Sequence, residues 1–129
     1  MKKVNHIRLS NRLSLLLLLC TMLFVTTSCE DDESPIIVAA PTLGNTTAIT
    51  ASGFTINWTA VTGADKYLLD VSTSNNFATT VTGFSKKEVT GTSTNVTGLT
   101  TKTKYYFRLY AKKGSVTSVA SATKDATTL

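Results

Sequence analysis

From Pro41 to the end of the chain, apolar and polar residues alternate in short runs, and no stretch keeps a 3.6-residue apolar period. Phe54, Ile56 and Trp58 alternate with Thr55, Asn57 and Thr59. Tyr67, Leu69 and Val71 alternate with Leu68, Asp70 and Ser72. Tyr105, Phe107, Leu109 and Ala111 alternate with Tyr106, Arg108, Tyr110 and Lys112. Successive side chains of a strand point to opposite faces, so each run predicts one buried and one solvated face, as antiparallel sheets require. Turn signals separate the runs: Gly44-Asn45, Thr62-Gly63, Ser74-Asn75-Asn76, Gly83, Gly91 and Lys113-Gly114-Ser115. The composition, rich in Thr and poor in helix formers, favours strands. About seven short strands in roughly 90 residues predict an all-β, two-sheet sandwich.

The first thirty residues carry the opposite pattern. Lys2, Lys3, Arg8 and Arg12 precede an apolar run of 13 residues, Leu13 to Val25, that includes five consecutive leucines, Leu15 to Leu19. A membrane span needs about 20 apolar residues, whereas a signal-peptide core needs about 7–15. Residues 1–28 are therefore expected to form a helical signal peptide that is removed on export. Its removal changes the charge. Four of the thirteen Lys and Arg residues precede Cys29 and all eight acids follow it, so the formal charge falls from +5 to +1. The basic character of the whole chain belongs to the leader and is no sign of nucleic-acid binding.

Candidate chemistry is sparse. The single histidine, His6, and one of the two cysteines, Cys20, lie in the leader. The mature body retains no cysteine pair, so core packing alone must hold it together. With no histidine and only Cys29 left as a thiol, no nucleophile–base pair or His/Cys metal site can be assembled, and no metal or cofactor is expected. Asp65, Asp70, Glu88 and Asp125 are the carboxylates of the body, and their positions on the strand pattern suggest no catalytic pair. The expectation is a non-catalytic protein.

Thr26-Thr27-Ser28-Cys29, directly after the apolar run, resembles a bacterial lipobox. The resemblance implies that Cys29 becomes the lipidated N-terminus. It departs from the usual pattern at Thr26, where leucine is commonest. Each buried CH₂ contributes about 0.8 kcal/mol, so the two or three acyl chains of such lipoproteins make a lasting anchor. Cys29 and the acids Glu30 to Glu33 also resemble the surface-export signal of Bacteroidetes lipoproteins. That resemblance implies a lipid-anchored protein of the outer membrane, displayed on the cell surface, with residues 29–40 as an acidic tether.

Phe54-Thr-Ile-Asn-Trp58, then Ala64-Asp-Lys-Tyr67, then Gly98-Leu99 with Tyr105 six residues on, resemble a fibronectin type III domain over residues 41–129. The family implies a seven-stranded Greek-key sandwich, with strands A, B and E facing C, C′, F and G. It implies that Trp58 is the core tryptophan of strand B and Tyr67 the core aromatic of strand C. It makes Tyr105 the tyrosine-corner residue beside Leu99. The segment from Ser74 to Glu88 is longer than the pattern requires, and Phe77 and Val81 within it imply an elaborated C–C′ region.

On the outward faces of the neighbouring strands C and F fall Leu68, Tyr106, Arg108 and Tyr110, together with Asp70 as a partner for Arg108. Two tyrosines and a leucine are more apolar than a solvated face needs, which makes this the candidate binding face; ordinary cross-strand pairing is the structural alternative. Three roles fit: a protein-interaction or adhesion module, a glycan-binding accessory lipoprotein of a polysaccharide-uptake system, and a spacer domain from a longer protein. No Arg-Gly-Asp tripeptide occurs, so integrin-type adhesion has no support.

Overall fold

Among the described residues eight strands follow one another in the order β1 (Thr42–Leu43), β2 (Gly53–Thr59), β3 (Lys66–Ser72), β4 (Lys87–Val89), β5 (Ser93–Thr97), β6 (Lys104–Lys113), β7 (Val116–Thr117) and β8 (Lys124–Thr127). The computed structural model describes residues 34–129, so the predicted signal peptide and Cys29 lie outside the described residues. One sheet has the order β1-β2-β5 and the other β4-β3-β6-β7, with β8 also on β6. All pairings are antiparallel. Two such sheets make the sandwich that the alternation predicts.

The alternation also sets which side chains meet. Phe54, Ile56 and Trp58 of β2 face Tyr67, Leu69 and Val71 of β3 and Tyr105, Phe107, Leu109 and Ala111 of β6, and all are buried. Trp58 meets Tyr67 edge-on, with centroids 5.3 Å apart, and Phe54 lies 5.6 Å from Phe107. Gly53 admits no side chain, because a Cβ there would lie 2.3 Å from the Val96 carbonyl oxygen. The close pairing of β2 with β5 depends on that absence.

Three features depart from the sequence expectations. Val38 is buried in the core, so packing starts ahead of Pro41, where the pattern ends the tether. Val38 sits in the continuous apolar stretch 36–40, which has no alternation to mark the one side chain that is buried. Next, the single last strand of the family pattern is broken into β7 and β8. Between them Ser118 and Ser121 replace the missing ladder: their hydroxyls accept the N–H groups of Ala111 at 2.9 Å and Leu109 at 3.0 Å. Their own N–H groups donate to the carbonyls of the same two residues. The side-chain bonds keep β6 satisfied where the backbone of its neighbour swings away. The third departure concerns the outward face of β3 and β6.

Candidate interaction face

The register of β3 on β6 sets Leu68 opposite Tyr110, Asp70 opposite Arg108 and Ser72 opposite Tyr106. The candidate residues Leu68, Tyr106, Arg108 and Tyr110 therefore share one face. That face is not an open apolar patch. All four are half-buried and Asp70 is buried. The cover is the long link from β3 to β4, residues 73–86. Its Phe84 enters the core, its Val81 donates to the Val71 carbonyl at 2.8 Å, and its Phe77 and Lys86 reach Arg108 and Tyr110 of β6.

Asp70 organises the cluster. Its Oδ1 accepts the backbone N–H of Lys86 at 2.8 Å. Its Oδ2 accepts from Arg108 Nε at 3.1 Å and from the Tyr110 hydroxyl at 3.2 Å, and lies 3.2 Å from Lys86 Nζ. Burial pushes this carboxyl up, but the Lys86 backbone bond and the bonds to Arg108 and Lys86 together outweigh it and hold it below the ordinary value. A carboxylate placed there without those partners would be costly. With them it fastens the link to the sheet.

Aromatic rings complete the arrangement. The Arg108 guanidinium stacks 4.1 Å from the centroid of Phe77, and Lys86 Nζ sits 2.9 Å from that of Tyr110. Lys104 lies 5.4 Å from the ring of Tyr106 and pairs with Asp125 at 3.2 Å. Phe77 and Lys86 adopt φ of 54° and 50°, a left-handed conformation uncommon for side chains other than glycine. Both contribute a cation–ring contact from that conformation. Phe77 and Lys86 are the members of this cluster that strand alternation misses. Both belong to a link with no period, and only the surplus length of that segment signals them.

The residues assigned structural parts lie at the two ends of the sandwich. The Tyr105 hydroxyl accepts the Thr100 N–H at 2.9 Å, and Leu99, buried beside that corner, donates its N–H to the Ser52 carbonyl at 3.0 Å. The Tyr67 hydroxyl accepts the Val61 N–H at 2.8 Å. Trp58 is buried and its Nε1 has no hydrogen-bond partner among the described residues. The remaining carboxylates are engaged apart from one another: Glu88 with Lys66 and Lys112, Asp125 with Lys104, and Asp65 with the Gly114 N–H. Among the described residues no group of three His, Cys, Asp or Glu side chains could hold a metal. No helix among them is long and apolar enough to cross a membrane.

The family model for the fibronectin type III domain matches residues 39–124. No curated protein matches the chain. Among solved structures, a fibronectin type-III domain of the human fibronectin type III domain containing protein 3 is similar at 17% identity and a TM-score of 0.59, covering 75% of this chain and 91% of that one. An Fn3-like protein from Clostridium thermocellum is similar at 26% identity and a TM-score of 0.54, covering 70% and 92%. A beta-1,2-glucanase from Parabacteroides distasonis is similar at 20% identity and a TM-score of 0.59, covering 74% of this chain and 13% of that one.

Proposed function

This chain belongs to the fibronectin type III family, and we propose that it is a non-catalytic interaction module whose β3/β6 face contacts a partner protein. The braced row of Tyr106, Arg108 and Tyr110 carries the reading. Aromatic and arginine side chains dominate the energetics of protein contacts. Here Asp70 and the 73–86 link hold two of them in place before any partner arrives, so less conformational entropy is lost on binding. Lipidation of Cys29 would hold the domain at the outer membrane surface, a placement supported by the leader sequence and the acids that follow it.

Site-specific photo-crosslinking on intact cells of the native host tests the face. A photoreactive residue at Tyr106 is expected to give one dominant adduct, and the same residue at Thr97, exposed on the other sheet, none. Equal labelling from both positions overturns the reading. Radiolabelled palmitate with wild type and Cys29→Ala, followed by surface proteolysis, tests the anchor separately. Unlabelled wild type removes the tether, and labelled but protected protein moves the domain inward.

The glycan reading ranks second. It draws on the two tyrosines, but Lys86 already occupies one side of the Tyr110 ring, which leaves Tyr106 as the better placed stacking surface. A glycan array with wild type and the Tyr106→Ala/Tyr110→Ala double variant separates the two, because binding lost only in the variant would favour sugar.

A further inference from the structure

We infer that Arg108 and Lys86, held around Asp70, form a subsite that takes a carboxylate from an acidic segment of the partner protein. The inference rests on the reading of the β3/β6 face as the contact face and names the chemistry of what it contacts.

The charge count is the first support. Two cations, Arg108 and Lys86, lie within 3.2 Å of the same oxygen of a single carboxylate. The carboxylate lies underneath, with 4% of its side chain exposed, while Arg108 and Lys86 are 31% and 46% exposed. Solvent and any partner therefore meet the cations, and the anion beneath them balances only one. Neighbouring charges do not cancel the remainder. Glu88, opposite Leu68 on the same face, is held by Lys66 and Lys112, and Asp125 is occupied by Lys104.

The second support is the geometry of Arg108. Only its Nε is bonded to Asp70, and its two Nη groups make no hydrogen bond among the described residues. Phe77 covers one side of the guanidinium plane, and the Tyr110 ring lies 5.6 Å away. A guanidinium fixed at Nε and stacked on a ring still presents N–H groups along its free edge. That edge matches the two oxygens of a carboxylate, a charge-assisted and directional contact. The residual single positive charge matches one carboxylate better than a dianion.

The third support is preorganisation. Long cationic side chains normally lose rotamer freedom on binding. Here the contacts of Asp70, Phe77 and Tyr110 hold both cations already, and two of the residues involved, Phe77 and Lys86, occupy left-handed backbone conformations to make those contacts.

The test titrates the full chain, ¹⁵N-labelled in a non-ionic detergent, with hexaglutamate while following the Arg108 Nε–H resonance, which Arg108→Lys identifies by its loss. Saturable shifts at Arg108, Phe77 and Lys86 are expected with hexaglutamate and not with hexalysine. Arg108→Lys, which keeps the charge and loses the fork, should bind roughly tenfold more weakly, as should Lys86→Gln, provided both keep dispersed wild-type spectra. No saturable shift, shifts confined to the Lys112–Gly114 turn, or equal binding by Arg108→Lys overturns the inference. Tighter binding of oligogalacturonate than of hexaglutamate overturns the peptide assignment. A protein that ignores hexaglutamate yet still crosslinks through Tyr106 loses the carboxylate subsite and keeps the contact face.

Discussion

The hydroxyl of Tyr105 accepts the backbone N–H of Thr100 at 2.9 Å, joining the start of β6 to the turn that precedes it. Thr100 follows β5 by three residues, so this bond fixes the crossing from one sheet to the other. Leu99 is buried beside it. Tyr105→Phe should keep the ring packing and lose this bond, at a cost of about 1 kcal/mol. Equal urea midpoints for the two proteins would show that the bond contributes nothing.

Trp58 and Tyr67 make a comparable contact at the other end of the core. Trp58→Ala should cost about 3–5 kcal/mol, since no disulfide shares the burden of holding the domain. Trp58→Phe should cost clearly less, because Nε1 has no partner to lose. Thermal unfolding followed by circular dichroism ranks the three, and an alanine variant as stable as wild type would contradict the packing.

Ser121 and Ser118 supply acceptors that the broken last strand does not. Ser121→Ala should leave the Leu109 N–H buried and unpaired and cost about 1–3 kcal/mol. Amide hydrogen exchange at Leu109 should speed up by more than global unfolding explains. Unchanged protection would mean that the ladder closes without the hydroxyl.

Asp70 ties stability to acid pH. Its pKa is lowered on folding, so its contribution is fully present above the unfolded carboxylate value of 3.8 and is lost as pH falls through the lower folded value. Denaturant midpoints of wild type should therefore drop below about pH 4, and Asp70→Asn should flatten part of that drop while lowering stability at pH 7. Identical pH slopes for the two proteins would remove Asp70 as the source. Glu88 is also lowered, chiefly by its bond to Lys66, but its exposure to solvent leaves it little weight.

Alternation alone assigns the inward residues of β2, β3 and β6, because burial on one face of a strand imposes a period of two that needs no tertiary information. The same period places Leu68, Tyr106, Arg108 and Tyr110 on a common side once β3 and β6 are neighbours. It cannot tell whether that side is bare. Phe77 and Lys86 come from a link with no period, and what they cover depends on how the chain turns after Ser72.

The sequence by itself determined the class of fold, the inward residues of β2, β3 and β6, and a body without histidine or cysteine, since these follow from local pattern and composition. Only the tertiary structure decided that the last strand would break around two serine hydroxyls. It also decided that Asp70 would be buried, and that the two cations around it would end up on top. Those outcomes depend on where buried polar groups find partners, and the partners are brought together by folding across 12 to 40 residues of chain.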